Sequence, residues 1–510
     1  MEKNKMQFTN TFNYKVIYAF TVNDENHKDI INEPRFVNQG QVTADTLANT
    51  NAKVLEINSK TGLYPLYIAY SIYRTKCKEY DEDKLDLELQ RNIWNDVIRD
   101  NVYVICKTPM AKQITQRTLA GYSGRKINAH YFDNLINQLK NKPQQFIERI
   151  LKTSYWKKGD AGKMKFDAIV GNPPYQENIS DSSKNSSLSK QLFPTFIQNT
   201  IKLNSDYVSL ITPSRWFTAD AQDKSFIKLR EFVKENNHFS KIFNYPDNKL
   251  LFNGVEIAGG VNYYLYDKSY EGNVTFIECY NQNKDVTVRP LFEPNLDIII
   301  SMNKLVNILN RVRISDDFIP MTTITKGRNA FGIVGKKSEL SKITKVETFN
   351  GAIEVRCAYE QILYTERKNI TKNIDLIDKW KVFTSKGNGG AGILSDNKQV
   401  AILGKAYIGT PLSVCTDSLI PIGSFETEQE AINLKNYMSS KFFRFMVGIL
   451  KVSQNVYQNV YQFVPIQDFT DKSDIDWSKS ISEIDKQLYA KYNFSEDEIS
   501  FIEAKIKPME

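Results

Sequence analysis

Between residues 53 and 267 short apolar runs alternate with stretches of helical spacing, and few folds accept that order. Residues 53–57, 101–106 (NVYVIC), 166–170 (FDAIV), 206–212 (DYVSLIT) and 262–267 (NYYLYD) are compact enough for buried strands. Residues 63–73, 86–100, 111–119, 191–203 and 226–236 carry helical periodicity; in 86–100 the apolar set is Leu87, Ile93, Trp94 and Val97. Strand–helix alternation of this kind predicts an α/β fold built on a doubly wound sheet. Such sheets take ligands at the carboxyl ends of their strands. A further strand is expected at 13–22. Residues 176–190 (QENISDSSKNSSLSK) are almost free of apolar side chains and are expected to form a long loop.

The texture changes near residue 285. Beyond it come irregular strands, glycine turns at Gly327 and 387–392 (GNGGAG), and helical stretches at 426–450 and 480–507. Three segments result: 1–50 packing on the domain that follows, 51–290 as the doubly wound domain, and 291–510 as a second, α+β domain with C-terminal helices. A chain of 510 residues has room for roughly two to four domains.

Composition excludes several function classes. No apolar run approaches the length of about 18 residues that a membrane span needs. The N-terminus lacks the basic-then-apolar layout of a signal peptide, so a cytoplasmic protein without membrane contact is expected. Cys77, Cys106, Cys279, Cys357 and Cys415 are scattered and never form CxxC, which argues against a disulfide framework or structural zinc. With His27, His130 and His238 as the three histidines, neither a His-based metal site nor a Ser-His-Asp triad is expected. The net charge of +8 is compatible with a polyanionic partner.

The sharpest local feature is Asn172-Pro173-Pro174-Tyr175, directly after the strand at 166–170. Methylating an exocyclic amine demands a particular arrangement, because its nitrogen lone pair is delocalised into the ring. Two fixed acceptors can hold the amine protons and localise that lone pair toward an electrophilic methyl. Asn172 offers an amide oxygen and Pro173 a main-chain carbonyl. Proline fixes φ near −65° and pushes the preceding residue to an extended conformation, so two in series make a stiff platform. Tyr175 adds a face on which a base can stack, worth roughly 1–3 kcal/mol. A plain strand-terminating turn is the bland alternative, since Asn and Pro are common there.

Residues 166–175 (FDAIVGNPPY) resemble motif IV of amino-group methyltransferases. The wider chain resembles the N6-adenine DNA methyltransferases of restriction-modification systems in which methylase and specificity domains are fused. Residues 208–214 (VSLITPS) with Arg215-Trp216-Phe217, and 251–255 (LFNGV) with the strand at 262–267, resemble the later motifs. The likeness covers roughly residues 50–270 well and the C-terminal half more loosely. It implies a Rossmann-like methyltransferase sheet followed by a target-recognition domain. It also implies S-adenosyl-L-methionine as cofactor, and double-stranded DNA as partner with the adenine flipped out of the stack. A restriction or helicase subunit is admitted as a further partner, and no metal is implied.

Residues 54–62 (VLEINSKTG) then stand at the cofactor motif, with Glu56 as the acidic residue at the strand end, Asn58 beside it, and Gly62 permitting close backbone approach. The chain departs from the pattern at Lys60, where an early glycine is usual. It departs again at Cys106, where an acidic residue usually serves the ribose; a thiol is no strong bidentate acceptor. Asp133 corresponds to the acidic residue near the cofactor adenine, or is a solvated loop carboxylate. Asn172 completes the cofactor-side set. For DNA, Arg215 and the cations beside glycine turns, Lys326, Arg328, Lys386 and Lys405, are the candidate contacts. Trp216 is either a DNA contact or a core anchor. Residues 416–422 (TDSLIPI) and the helix after them resemble the strand–helix unit of a target-recognition domain.

Lys60 and Cys106 keep a second reading open: a DNA-recognition subunit whose methyltransferase domain is vestigial and which acts with a partner nuclease or helicase. Methylation of a protein glutamine can use the same tetrad, but the extra half-chain argues against it. Cleavage by this chain is disfavoured, because Pro246-Asp247 with Glu256 lacks the lysine of a nuclease cluster.

Overall fold

The computed structural model describes residues 49–81, 85–159, 162–178, 189–218, 223–252, 257, 259–280, 283–294, 296–313, 318–387, 394, 398–451 and 455–509. Nearly all of the N-terminal segment 1–50 with its expected strand at 13–22, the middle of the loop expected at 176–190, part of the closing motif at 251–255 and most of the glycine turn at 387–392 lie outside them, and the described ends of that loop are short paired strands. The chain divides into two compact units, Met1–Ser301 and Met302–Glu510. Leu291 and Ile299 pack into the core of the first unit, which keeps the segment 291–301 with it.

The first unit is a nine-stranded sheet in the order β11-β10-β8-β9-β7-β4-β1-β2-β3. In chain order the strands are β1 Val54–Ser59, β2 Val102–Cys106, β3 Asn128–Tyr131, β4 Ala168–Gly171, β7 Tyr207–Pro213, β8 Phe239–Tyr245, β9 Val261–Asp267, β10 Val274–Cys279 and β11 Lys284–Arg289. A separate hairpin pairs β5 Gln176–Asn178 with β6 Ser189–Gln191. Strands β3, β2, β1, β4 and β7 run parallel, while β9 is antiparallel to both β7 and β8. The order runs outward in both directions from β1 and β4, so their carboxyl ends flank a switch point, where doubly wound sheets bind ligands.

Side-chain alternation explains why the central strands β1, β2 and β4 are buried along their whole length. Leu55, Ile57, Tyr103, Ile105, Ile169 and Leu210 enter the core on one face. Val54, Val102, Val104, Val170 and Ile211 enter the core on the other. A parallel sheet covered on both faces shows little apolar–polar alternation for this reason. The helices begin where local chemistry satisfies their first N–H groups. Asp86 accepts from the Leu89 N–H at 2.7 Å, and Thr108 accepts from the Ala111 N–H at 3.1 Å with Pro109 in the first turn.

The second unit carries a four-stranded sheet, a three-stranded sheet and helices, so the α/β class and the mixed C-terminal region expected from the sequence are both borne out. Two details differ. The stretch at 426–450 is two helices, Glu428–Ser439 and Lys441–Leu450, broken where Ser440 turns extended and accepts from the Phe443 N–H. The stretch at 480–507 is likewise Ile481–Lys491 and Glu496–Lys505. There Asn493 adopts φ 50° and Ser495 caps the second helix. In both places a serine offers an N-cap that competes with helix continuation. Among the described residues no helix is long and apolar enough to cross a membrane.

Candidate active site

The carboxyl ends of β1 and β4 meet closely. A Cβ on Gly171 would lie 2.5 Å from the Ile57 carbonyl oxygen, so only glycine lets the two tips run this near. Asn172–Tyr175 leaves β4 at that point. Its ends are anchored: Asn58 Nδ2 donates to the Asn172 carbonyl at 3.0 Å, and the Leu192 N–H donates to the Tyr175 carbonyl at 3.1 Å. Between those anchors lie the two prolines. The Asn172 side-chain amide and the Pro173 carbonyl accept no hydrogen bond among the described residues. Asn172, Pro174 and Tyr175 are half-buried, so the tetrad is not sealed in the core, whereas Pro173 is buried. The Tyr175 hydroxyl is buried, has no hydrogen-bond partner among the described residues, and its pKa is pushed up by burial.

Beside the tetrad, β1 breaks its register with β2 between Ile57 and Ser59, and Asn58 sits in the left-handed region at φ 68°. Glu56 is 4 % exposed, with Oε2 buried and without a hydrogen-bond partner among the described residues. Burial pushes its pKa up to about 8, against the opposing pull of the Ser59 hydrogen bond and Lys60. An orphaned carboxylate oxygen at a strand tip is suited to a cationic partner, since leaving it unpaired is costly. Tyr64, in helix Leu63–Cys77, joins the group; burial, with Tyr175 and Glu56 nearby, raises its pKa. Nothing in the periodicity marked Tyr64, although an aromatic residue two places after the loop glycine was the available signal.

The other expected cofactor residues are placed differently. Gly62 adopts φ 75°, and a Cβ there would lie 2.9 Å from Thr115 Cα. Its close approach is therefore to helix Pro109–Ala120. Cys106 is fully buried and its thiol donates to Thr115 Oγ1 at 3.8 Å, with the pKa pushed to about 12 by burial. The structure gives Cys106 a core environment and does not bring it to a ligand surface. Lys60 and Asp133 are exposed, Asp133 just beyond the end of β3.

Arg215 is half-buried and braces the hairpin after the tetrad. Its Nη2 donates to Gln176 Oε1 at 3.2 Å and to Gln191 Oε1, tying β5 to β6. Burial lowers its pKa. Trp216 is 1 % exposed and is a core anchor.

In the second unit, Arg328 and Lys386 converge on Asp417 Oδ2 at 3.2 and 3.1 Å. Burial opposes ionisation of Asp417, yet the Gly335 N–H, Lys386 and Arg328 hold its pKa below the usual carboxylate range. Lys326 is half-buried and Lys405 is exposed. Sequence reasoning missed a cleft of about 770 Å³ beside Lys386, lined also by Arg356, Tyr359, Glu360, Tyr407 and Asn455. Tyr359 and Glu360 are consecutive left-handed residues there, and the Tyr359 ring is fully exposed.

Residues 100–252 match the model of the Eco57I restriction-modification methylase family. An uncharacterized adenine-specific methylase of Mycoplasma pneumoniae (strain ATCC 29342 / M129 / Subtype 1) is 32 % identical over 161 residues, 31 % of this chain and 37 % of the relative. The chain thus spans little more than a third of that curated relative's length. The fold also aligns with the Type IIL restriction-modification enzyme MmeI in complex with DNA, at TM-score 0.49 and 9 % identity over 90 % of this chain and 72 % of that one. A nuclease-deletion mutant of the Type ISP enzyme LlaGI, with a DNA substrate mimic, aligns at TM-score 0.46 and 11 % identity over 88 % of this chain and 46 % of that one. The family resemblance drawn from the tetrad and its strand is borne out within residues 100–252.

Proposed function

We propose that this chain, which carries the sequence of a restriction-modification methylase over residues 100–252, transfers a methyl group from S-adenosyl-L-methionine to N6 of a flipped adenine in duplex DNA. The observation that carries the proposal is the anchored tetrad at the tip of β4, with the Asn172 amide and the Pro173 carbonyl free of hydrogen-bond partners among the described residues.

Flipping an adenine costs a few kcal/mol of unstacking, which contacts in the pocket must offset. Asn172 Oδ1 and the Pro173 carbonyl accept the two N6 protons and hold them out of conjugation. The half-buried Tyr175 supplies an aromatic ring on which the base can stack. These groups are set before the base arrives, which lowers the reorganisation needed at the moment of reaction. When bound, the cofactor supplies a methyl on a sulfonium, already activated toward the nitrogen lone pair. The proton that N6 loses leaves by way of the same acceptors to water.

The residues at the tip of β1 suit the amino-acid end of that cofactor. Glu56 Oε2 has no hydrogen-bond partner among the described residues and would hold the ammonium. Cys106 is bonded within the core, so the ribose is served by other groups. In this reading the second unit recognises the target, with exposed Lys405 and the cations around Asp417 facing phosphates. The setting is a restriction-modification or phage-defence system.

Two experiments test this. Labelled methyl from the cofactor should appear in DNA and not in protein; label confined to protein would redirect the reading to amide methylation. Cofactor affinity, measured by calorimetry, should rise with pH toward about 8 and level off above it, because the ammonium needs Glu56 ionised. Without ligand the sign is reversed. The folded unit keeps a proton that the unfolded chain has shed, so stability declines as pH rises from the ordinary carboxylate range through about 8. Glu56→Gln should weaken the affinity and flatten its pH profile; an unchanged profile would remove Glu56 from the site.

A further inference from the structure

We infer that Asn58 is a positioning residue for the tetrad, setting the direction of the Pro173 carbonyl through its hold on Asn172. The inference rests on the methyl-transfer reading above. The key contact spans 114 positions in sequence: Asn58 Nδ2 donates to the Asn172 main-chain oxygen at 3.0 Å. Asn58 is 4 % exposed, and its φ of 68° places the side chain off the regular line of β1. Asparagine tolerates that left-handed conformation better than most residues. The neighbouring Ile57 carbonyl oxygen lies 2.5 Å from where a Cβ on Gly171 would stand, which leaves little slack for Asn172 to shift.

The consequence follows from backbone geometry. The peptide joining Asn172 to Pro173 is planar, so fixing the Asn172 oxygen fixes that plane. Proline locks the next φ. The ψ of Pro173 is in turn restricted because Pro174 follows it. No soft torsion then remains between the atom that Asn58 grips and the Pro173 carbonyl. A hydrogen bond made one residue away is transmitted with little loss to the acceptor that must meet an N6 proton. The double proline serves as a rigid lever, and Asn58 holds its near end. Glu56 lies two residues earlier on the same strand, so β1 carries both the carboxylate suited to the cofactor and the grip on the tetrad.

This assignment separates Asn58 from a direct cofactor ligand, the role expected from its place in the motif. Two variants test it. Asn58→Gly accepts the positive φ without strain and removes the amide. Asn58→Asp keeps the shape but turns an acceptor toward the Asn172 oxygen. Methyl transfer to unmethylated DNA, cofactor Kd by calorimetry and thermal unfolding are measured on each full-length protein. A displacement of about 1 Å at a reacting group can cost on the order of 100-fold. The expected result is a kcat lower by roughly 10- to 100-fold in Asn58→Gly and lower still in Asn58→Asp, with cofactor Kd close to wild type. A raised Kd with kcat preserved would make Asn58 a cofactor ligand and overturn the inference. So would an unchanged kcat, or a kcat loss that merely tracks lost thermal stability across both variants. If the wild-type chain binds cofactor yet transfers no methyl, the methyl-transfer reading fails and the inference with it.

Discussion

Replacing Asn172 with alanine is expected to reduce methyl transfer to background while leaving DNA binding largely intact. Removing one preorganised polar group from a charge-developing centre typically costs about 100- to 1000-fold in kcat. In the proposed mechanism Asn172 would contribute more than a single contact, as one of two acceptors that localise the N6 lone pair. The substitution should not disturb the surroundings. Within the chain Asn172 is held through its main-chain carbonyl, which alanine retains, and its side-chain amide has no partner among the described residues. On the proposed reading, DNA affinity should come mainly from phosphate contacts elsewhere and should fall steeply with salt in wild type and variant alike. Comparison of labelled-methyl incorporation with DNA binding across a salt series checks both halves. Activity equal to wild type would reject the assigned site.

Gly171→Val should be nearly as damaging, by a different route. The missing side chain at Gly171 allows the Ile57 carbonyl to stand 2.5 Å from where a Cβ would be, and that neighbour is backbone, which cannot rotate away. Overpacking of this kind costs about 1–3 kcal/mol and sometimes more. The strain would be relieved by parting β1 from β4 at their tips, where they pair from Val54 with Ala168 to Ile57 with Gly171. That movement also displaces Asn172 from Asn58. The variant should therefore unfold at a lower temperature, and its residual folded fraction should transfer methyl poorly while Gly171→Ala lies between it and wild type. A valine variant with wild-type melting and turnover would contradict the packing described at this junction.

The strands of the first unit were legible because both sheet faces are covered. β2 and β4 carry no polar side chain other than the Tyr103 hydroxyl and the Cys106 thiol, β1 and β7 are buried nearly throughout, and the tetrad follows directly on β4. β3 escaped notice for the opposite reason: Asn128–Tyr131 is an edge strand with only Ala129 fully buried, so its sequence carries no apolar run. The helix breaks at Ser440 and Asn493 were hidden because an apolar stripe continues across them, and only the capping geometry reveals the stop. At the candidate site, residue types pointed to Asn172 and Tyr175, since their chemistry is local, and the family resemblance pointed to Glu56. The Asn58 contact with Asn172 depends on two strands becoming neighbours, which no spacing along the chain encodes. Arg215 illustrates the same limit. As an isolated cation after a strand it suggests phosphate, yet its guanidinium ties β5 to β6 through Gln176 and Gln191. Arg328 and Lys386 are likewise drawn to Asp417, a partner their flanking glycines did not announce.

Everything proposed for the tetrad concerns one nitrogen atom, and the product can be identified directly. DNA lacking prior modification is incubated with the full-length chain and labelled S-adenosyl-L-methionine, digested to nucleosides, and separated with mass detection. The account predicts that the label co-migrates with N6-methyladenine. Label in N4-methylcytosine or C5-methylcytosine, or none in any nucleoside while the chain binds the cofactor, would contradict it.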